Sequence, residues 1–298
     1  MVPFCFAGKF ATAKAFCLTV GVAAVFSVHA HGTDNSGTIS TGLTVAFPGT
    51  SVTFPGKAKA CGSGRATKIL SGDRLLLKNG QTVSLAEIKA PEFWSPGAPY
   101  KSWPHSWQAK AALEAAAINS QLNLFCYRKQ KNALGDLVAH IRTGTGTWLQ
   151  YELVSNGHAY FMPHHHQPVL AAQLHGAEAE ARTKKRGLWA IDGLSAVQAT
   201  SEQLHPGWFQ IVTGKILSEK RRKNGVYLNF GDDWSRDFTI EIPKRLYRQF
   251  NAKSDGTLGL EGQYVEVRGW VEWAGGPKII LEYASQLTVA LPVPAQSR

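Results

Sequence analysis

Two runs of apolar and polar residues, ATKILSGDRLLL at 66–77 and QTVSLAEI at 81–88, are strand-like, and the second alternates with a period of two across Thr82-Val83-Ser84-Leu85. These patterns predict two half-buried strands. They meet at Asn79-Gly80, a pair favoured by a tight type I′ hairpin turn in which both positions take positive φ. A loop rich in Pro, Trp and Ser follows over 91–105. The Ala-rich stretch 106–120 predicts a helix with Ser106 as its N-cap. LNLFCYRKQ and LVAHIRTG read as strands around a turn, and TWLQYELVSNG reads as a helix ending at Gly157. A third helix is expected over 168–187, with Pro168 near its start, basic residues in its last turn and Gly187 at its end. Strands interleaved in this order with three helices predict an α+β, mostly β unit: an OB-type five-stranded barrel with three helices, over residues 61–192.

Residues 193–206 read as a polar linker. Strand patterns resume at Trp208: WFQIVTGKILSEK, GVYLNFG, DFTIEI, QYVEVRGWVEW and KIILEYASQLTV, with one short helix, PKRLYRQF, after the third. Five strands and one intervening helix predict a second OB-like β domain over 207–293.

The first thirty residues lie outside both patterns. Lys9 and Lys14 precede the apolar run AFCLTVGVAAVFSV at 15–28, and Val28-His29-Ala30 suits signal peptidase. We therefore expect 1–30 to be a signal peptide cut after Ala30. The mature chain would then be periplasmic or secreted and without a stable membrane span. Residues 31–60, rich in Gly, Thr, Ser and Pro, read as a flexible leader. Cleavage removes Cys5 and Cys17 and leaves Cys61 and Cys126, an even pair that reads as a disulfide in an oxidising compartment, the alternative being a buried thiol at Cys126 within the apolar strand LNLFCY. The formal net charge of +11 suits a polyanion or an anionic surface as partner and says nothing about fold.

The segment SGDRLLLKNGQTVSLAEIKAPE, 71–92, resembles the opening hairpin of the thermonuclease (staphylococcal nuclease-like) family. ELVSNGHAYF and AEAEARTKKRGLWA extend the resemblance over about 65–190, and YLNFGDDWSRDFTIEI resembles the C-terminal module that accompanies such domains in exported bacterial proteins. The resemblance implies hydrolysis of phosphodiesters with calcium. A divalent cation orients a water, a carboxylate activates it, and two guanidinium groups hold the phosphate.

The family's runs are Asp-Gly-Asp-Thr, then Arg-Leu and Asp-x-Pro-Glu, then Tyr-Gly-Arg. Here Asp73 matches a calcium aspartate and Glu92 matches the glutamate that handles water. Ser84 falls at the first arginine, Lys89 at the second calcium aspartate and Asp136 at the second arginine. A hydroxyl does not replace a bidentate clamp, an aspartate repels phosphate, and a lysine opposes calcium. The expectation is a thermonuclease-like protein with a degenerate site and no cofactor, binding nucleic acid, another polyanion or a protein partner. The alternatives are an active metal-dependent nuclease with a non-standard site, using calcium or another divalent cation, and a structural envelope module. Lys220, Arg221, Arg222 and Lys223, near Tyr227, Phe230 and Trp234, are the candidate polyanion-binding residues. His164-His165-His166 reads as an exposed loop rather than a metal site, since no Cys or carboxylate frames it.

Overall fold

The computed structural model describes residues 44–47, 50–53, 58–93, 101–127, 131–163, 168–233 and 235–290. The signal-peptide expectation for 1–30, the histidine run at 164–166 and Trp234 lie outside the described residues. Within the expected leader, β1 (Thr44–Phe47) and β2 (Thr50–Thr53) form an antiparallel hairpin.

Strand β3 (Lys59–Ser71) builds the first barrel by serving two partners in succession. It pairs with β7 (Gln121–Cys126) along its first half and with β4 (Arg74–Leu77) along its second. Strand β4 then pairs antiparallel with β5 (Thr82–Leu85), β5 parallel with β8 (Leu137–Thr143), and β8 antiparallel with β7, which closes the ring. Residues facing inward on these strands, among them Leu75, Val83, Leu122, Leu124 and Ile141, are fully buried. Register shifts mark bulges in β3, and one falls between Ala60 and Gly62. The residue left there is Cys61, bonded to Cys126 with Cα atoms 5.7 Å apart.

The β4–β5 turn differs from the type I′ expectation. Gly80 alone takes positive φ, 83°, and its N–H donates to Leu77 while the Leu77 N–H donates to Gln81. This is a type I turn closed by a left-handed glycine, the three-residue hairpin loop. The Asn79 side chain accepts from the Gln81 N–H instead of forcing its own backbone to positive φ.

Helices α1 (Ser106–Ala117), α2 (Leu149–Ser155) and α3 (Pro168–Thr183) pack on the barrel, burying Leu113, Leu149, Leu153 and Leu174. The N-cap of α1 is His105 in a left-handed conformation, and Ser106 is buried as the first helical residue rather than capping. A short antiparallel pair, β6 (Ile88–Lys89) with β9 (Tyr160–Phe161), ties the end of the hairpin to the chain entering α3.

The second β domain repeats the pairing scheme. Its strands are β10 (Val197–Gln198), β11 (Phe209–Lys215), β12 (Ser218–Arg221), β13 (Gly225–Asn229), β14 (Thr239–Pro243), β15 (Tyr264–Trp273), β16 (Pro277–Ile280) and β17 (Leu287–Ala290). Strands β12, β13 and β14 form an antiparallel meander. Strand β14 pairs parallel with β16, β16 antiparallel with β15, and β15 antiparallel with β11. Only Ile216 and Leu217 separate β11 from β12. The Ile216 N–H donates to Gln263 and the Leu217 N–H to Asn229, so one bent strand changes partner there. The short helix after β14 is 3₁₀, Lys244–Phe250.

Residues 193–206 are held between the domains. Leu194, Val197 and Ala199 are buried, and β10 pairs with β11. Trp103, Tyr160, Leu188, Trp189, Phe209 and Ile211 form a shared apolar cluster there. A polar clamp lies beside it. Buried Arg268 of β15 donates to Glu178 at 2.9 Å, to the Phe161 carbonyl at 2.7 Å and to Glu266 at 2.6 Å. Arg182 of α3 reaches Glu266 at 2.9 Å. No helix among the described residues is long and apolar enough to cross a membrane.

Candidate nuclease-type site

Three adjacent strands of the first barrel bring Arg74, Ser84 and Asp136 together. Arg74 on β4 stands directly opposite Ser84 on β5. Ser84 in turn lies beside Val138 in the parallel register of β8, and Asp136 immediately precedes that strand. Side chains follow the register. The Arg74 guanidinium binds Asp136 with both ends, Nε to Oδ2 at 2.7 Å and Nη2 to Oδ1 at 3.1 Å. The Ser84 hydroxyl donates to Asp136 Oδ2 at 2.8 Å, and Asn132 Nδ2 donates to Ser84 at 3.0 Å. Burial pushes the Asp136 carboxyl up, but the Arg74, Thr82 and Ser84 hydrogen bonds outweigh it and hold the group well below the usual carboxylate range.

The turn between β3 and β4 places Asp73. A Cβ on Gly72 would come within 2.7 Å of both Ala90 and Ala109, so only glycine lets this turn press against α1 and the end of the hairpin. Asp73 is 5% exposed. It accepts from Ser71 Oγ at 2.6 Å and from the Ala90 N–H at 3.0 Å.

Lys89, held by its pairing opposite Tyr160, sends its ammonium to Asp73 Oδ2 at 3.0 Å and to Glu92 Oε1. The same ammonium lies 5.5 Å from the Trp270 ring, which belongs to the second domain. Burial raises the Asp73 carboxyl, yet Lys89, Ser71 and Ala90 together bring it below its ordinary value. Burial alone would lower Lys89. Asp73 and Glu92 reverse that and raise it.

All five family positions read from the sequence, Asp73, Ser84, Lys89, Glu92 and Asp136, therefore fall into one cluster. Two partners, one charged and one aromatic, escaped the sequence reading of the site. Arg74 was visible in the SGDR run, but its role depends on lying opposite Ser84 across the hairpin. Trp270 comes from 181 positions beyond Lys89 in the chain, and no local pattern signals it.

A family model described as staphylococcal nuclease homologue matches residues 82–191. Residues 82–191 form a staphylococcal nuclease-like domain. The match takes in Ser84, Lys89, Glu92 and Asp136 and stops before the second β domain. No curated protein matches the chain.

The nuclease-type reaction implies a divalent cation, and these residues do not fit one. Asp73, which matches a calcium aspartate, and Glu92, which matches the glutamate that handles water, are bridged by the Lys89 ammonium, and Asp136 is taken by the Arg74 guanidinium. Calcium requires six to eight oxygen ligands, several of them anionic. Among the described residues, no group of three or more His, Cys, Asp and Glu side chains is arranged to hold a metal ion.

The basic run of the second domain divides by strand alternation. Lys220 stands opposite Tyr227 on the outer face of the β12–β13 pair, and Lys220 and Arg222 line one cavity. Arg221 points the other way and donates to the Asp255 carbonyl. Lys223 is exposed in the turn and is not among the cavity's lining residues. Of the four residues, Lys220 and Arg222 share the cavity.

Proposed function

We propose that this is a nuclease-family protein whose first barrel does not cleave phosphodiesters and whose role is to bind nucleic acid after export. The observation that carries the reading is the Lys89 ammonium lying between Asp73 and Glu92. An ammonium there supplies charge where the family's chemistry needs a divalent cation, but it neither coordinates nor acidifies a water. Arg74 offers a guanidinium near the place of the family's clamps, yet both its ends are spent on Asp136. The loss of such electrostatic groups typically costs a hundredfold or more each in rate. Binding is supported by the formal charge, +11 for the whole sequence and +9 once Lys9 and Lys14 leave with residues 1–30 (11 − 2), which leaves the chain attracted to polyanions whether or not it cuts them. Export is supported by the signal-like pattern of 1–30 and by the Cys61–Cys126 bond.

Cleavage assays on single-stranded DNA, duplex DNA and RNA, with calcium or with other divalent ions, test the reading. The expected result is background cleavage under every condition together with salt-sensitive binding. Divalent-dependent cleavage by the unmodified chain overturns it.

A further inference from the structure

The second domain carries a cavity of about 300 Å³ on the outer face of its β12–β13–β14 sheet. Its floor draws Lys220, Tyr227, Asn229, Thr239 and Lys278 from two rows of the strand register. Lys220, Tyr227 and Glu241 form one row, and Ser218, Asn229, Thr239 and Lys278 form the other. The second row is tied internally, with Thr239 Oγ1 donating to Asn229 Oδ1 at 3.2 Å and Asn229 Nδ2 to Ser218 at 3.1 Å. Its side chains are therefore fixed in orientation. The first row presents an aromatic ring next to an ammonium.

Charge in the cavity is unbalanced. Lys220, Arg222 and Lys278 line it, and the neighbouring carboxylate, Glu241, is occupied by Lys278 at 3.1 Å. Among the described residues no salt bridge involves Lys220 or Arg222. Two cations are thus available to an anion. The opposite wall is the turn Ala274-Gly275-Gly276, whose glycines have φ of 68° and 114°. A wall without bulky side chains lets a ligand's own backbone approach closely. Trp273, which leads into that turn, is 65% exposed.

Resting on the reading that the chain binds nucleic acid, we propose that this cavity, and not the first barrel's cleft, holds one nucleotide of a single strand. The base lies on Tyr227, and the phosphate lies between Lys220 and Arg222. The volume sits at the small end of the ~300–1,000 Å³ range of ligand pockets, which suits one unstacked nucleotide. A base paired within a duplex offers no free face to the ring, so the site selects single strands. Stacking plus a basic track is the general mode of such binding.

The test is fluorescence anisotropy of a labelled thymidine 12-mer, single-stranded and as a duplex, with the full chain in EDTA so that cleavage does not intrude. We expect the single strand to bind at least tenfold tighter than the duplex. Tyr227→Leu should weaken binding roughly tenfold and Tyr227→Phe should restore it, because stacking needs the ring and not the hydroxyl. Lys220→Ala with Arg222→Ala should weaken binding and reduce the salt slope by about 0.7, the value for one lost phosphate contact on a single strand. Arg221→Ala, which turns away, should bind within twofold of the parent. Thermal melts confirm that each variant is folded. Equal loss from Arg221→Ala and from the double variant would overturn the site, as would an unchanged affinity in Tyr227→Leu or equal binding of the duplex. Binding that resists every change in the second domain would place the strand elsewhere and leave the non-cleaving reading standing. Cleavage in the calcium assay would remove that reading without altering this map.

Discussion

Replacing Lys89 by methionine isolates the buried ion pair at the centre of the first site. The methionine stem fills similar space, so the change mainly deletes the charge. Asp73 is 5% exposed and would lose the one cation that forms a salt bridge with it among the described residues, since Arg74 is engaged with Asp136. Removing one partner from a buried pair typically costs about 3–5 kcal/mol. Ser71 and the Ala90 N–H still serve the Asp73 carboxylate, so the expected loss lies near the low end, about 3 kcal/mol at pH 7.

The pH dependence gives the sign. In the parent, Asp73 is held below its ordinary 3.8, so its stabilisation is present above that pH and is lost only as pH falls through the lower folded value. Without Lys89, burial is the largest remaining influence and raises the group, so as pH falls from 7 toward 4 the variant gains stability more steeply than the parent, whose slope there comes from Glu87 and is common to both. Urea unfolding at several pH values measures both. A variant within about 1 kcal/mol of the parent at every pH would refute the pairing of Lys89 with Asp73. Lys89→Asp supplies a companion measurement. Three carboxylates should then attract calcium, and at a hundred times its Kd the ion would stabilise the fold by about 2.7 kcal/mol. Calcium should not move the parent.

Three further outcomes are expected. Glu87 is buried at a left-handed backbone position, and burial pushes its carboxyl up to about 8, so the parent loses stability as pH rises from about 4.5 through 8. Glu87→Gln should remove that slope and be more stable at pH 9 by a few kcal/mol, at about 1.4 kcal/mol per pKa unit, as read by urea midpoints. Cys61→Ser opens a closure spanning 65 residues and should cost about 4 kcal/mol, with no further loss on adding reductant. Arg268→Met strands the buried Glu178 carboxylate and should cost about 3–5 kcal/mol. It should also speed proteolysis within 193–206, measured by limited digestion.

Much of the first barrel was legible because each strand carries its own apolar pattern and each helix its own ends. The residues of the site were legible as positions. Their partnerships were not, because pairing depends on register between strands far apart in sequence. Arg74 meets Asp136 only after the parallel β5–β8 pair forms across the crossover that contains α1 and β7. The hairpin turn was misread because Asn79-Gly80 serves two turn types, and the choice rests on how the strands on either side are spaced. The splitting of Lys220 and Arg222 from Arg221 follows from alternation alone once β12 is known to be a strand. The joining of the two β domains through Trp103, Trp270 and the Arg268 clamp left no local signature, since such contacts are set by surfaces that exist only after each barrel has closed.

The most direct test of the account is the rate at which the unmodified, disulfide-bonded chain cleaves single-stranded DNA in millimolar calcium, beside a Glu92→Gln variant. Both rates should equal the background, and neither should change when EDTA replaces calcium. A calcium-dependent rate well above background in the unmodified chain, abolished by Glu92→Gln, would show that Lys89 yields its place to the ion and would contradict the central claim.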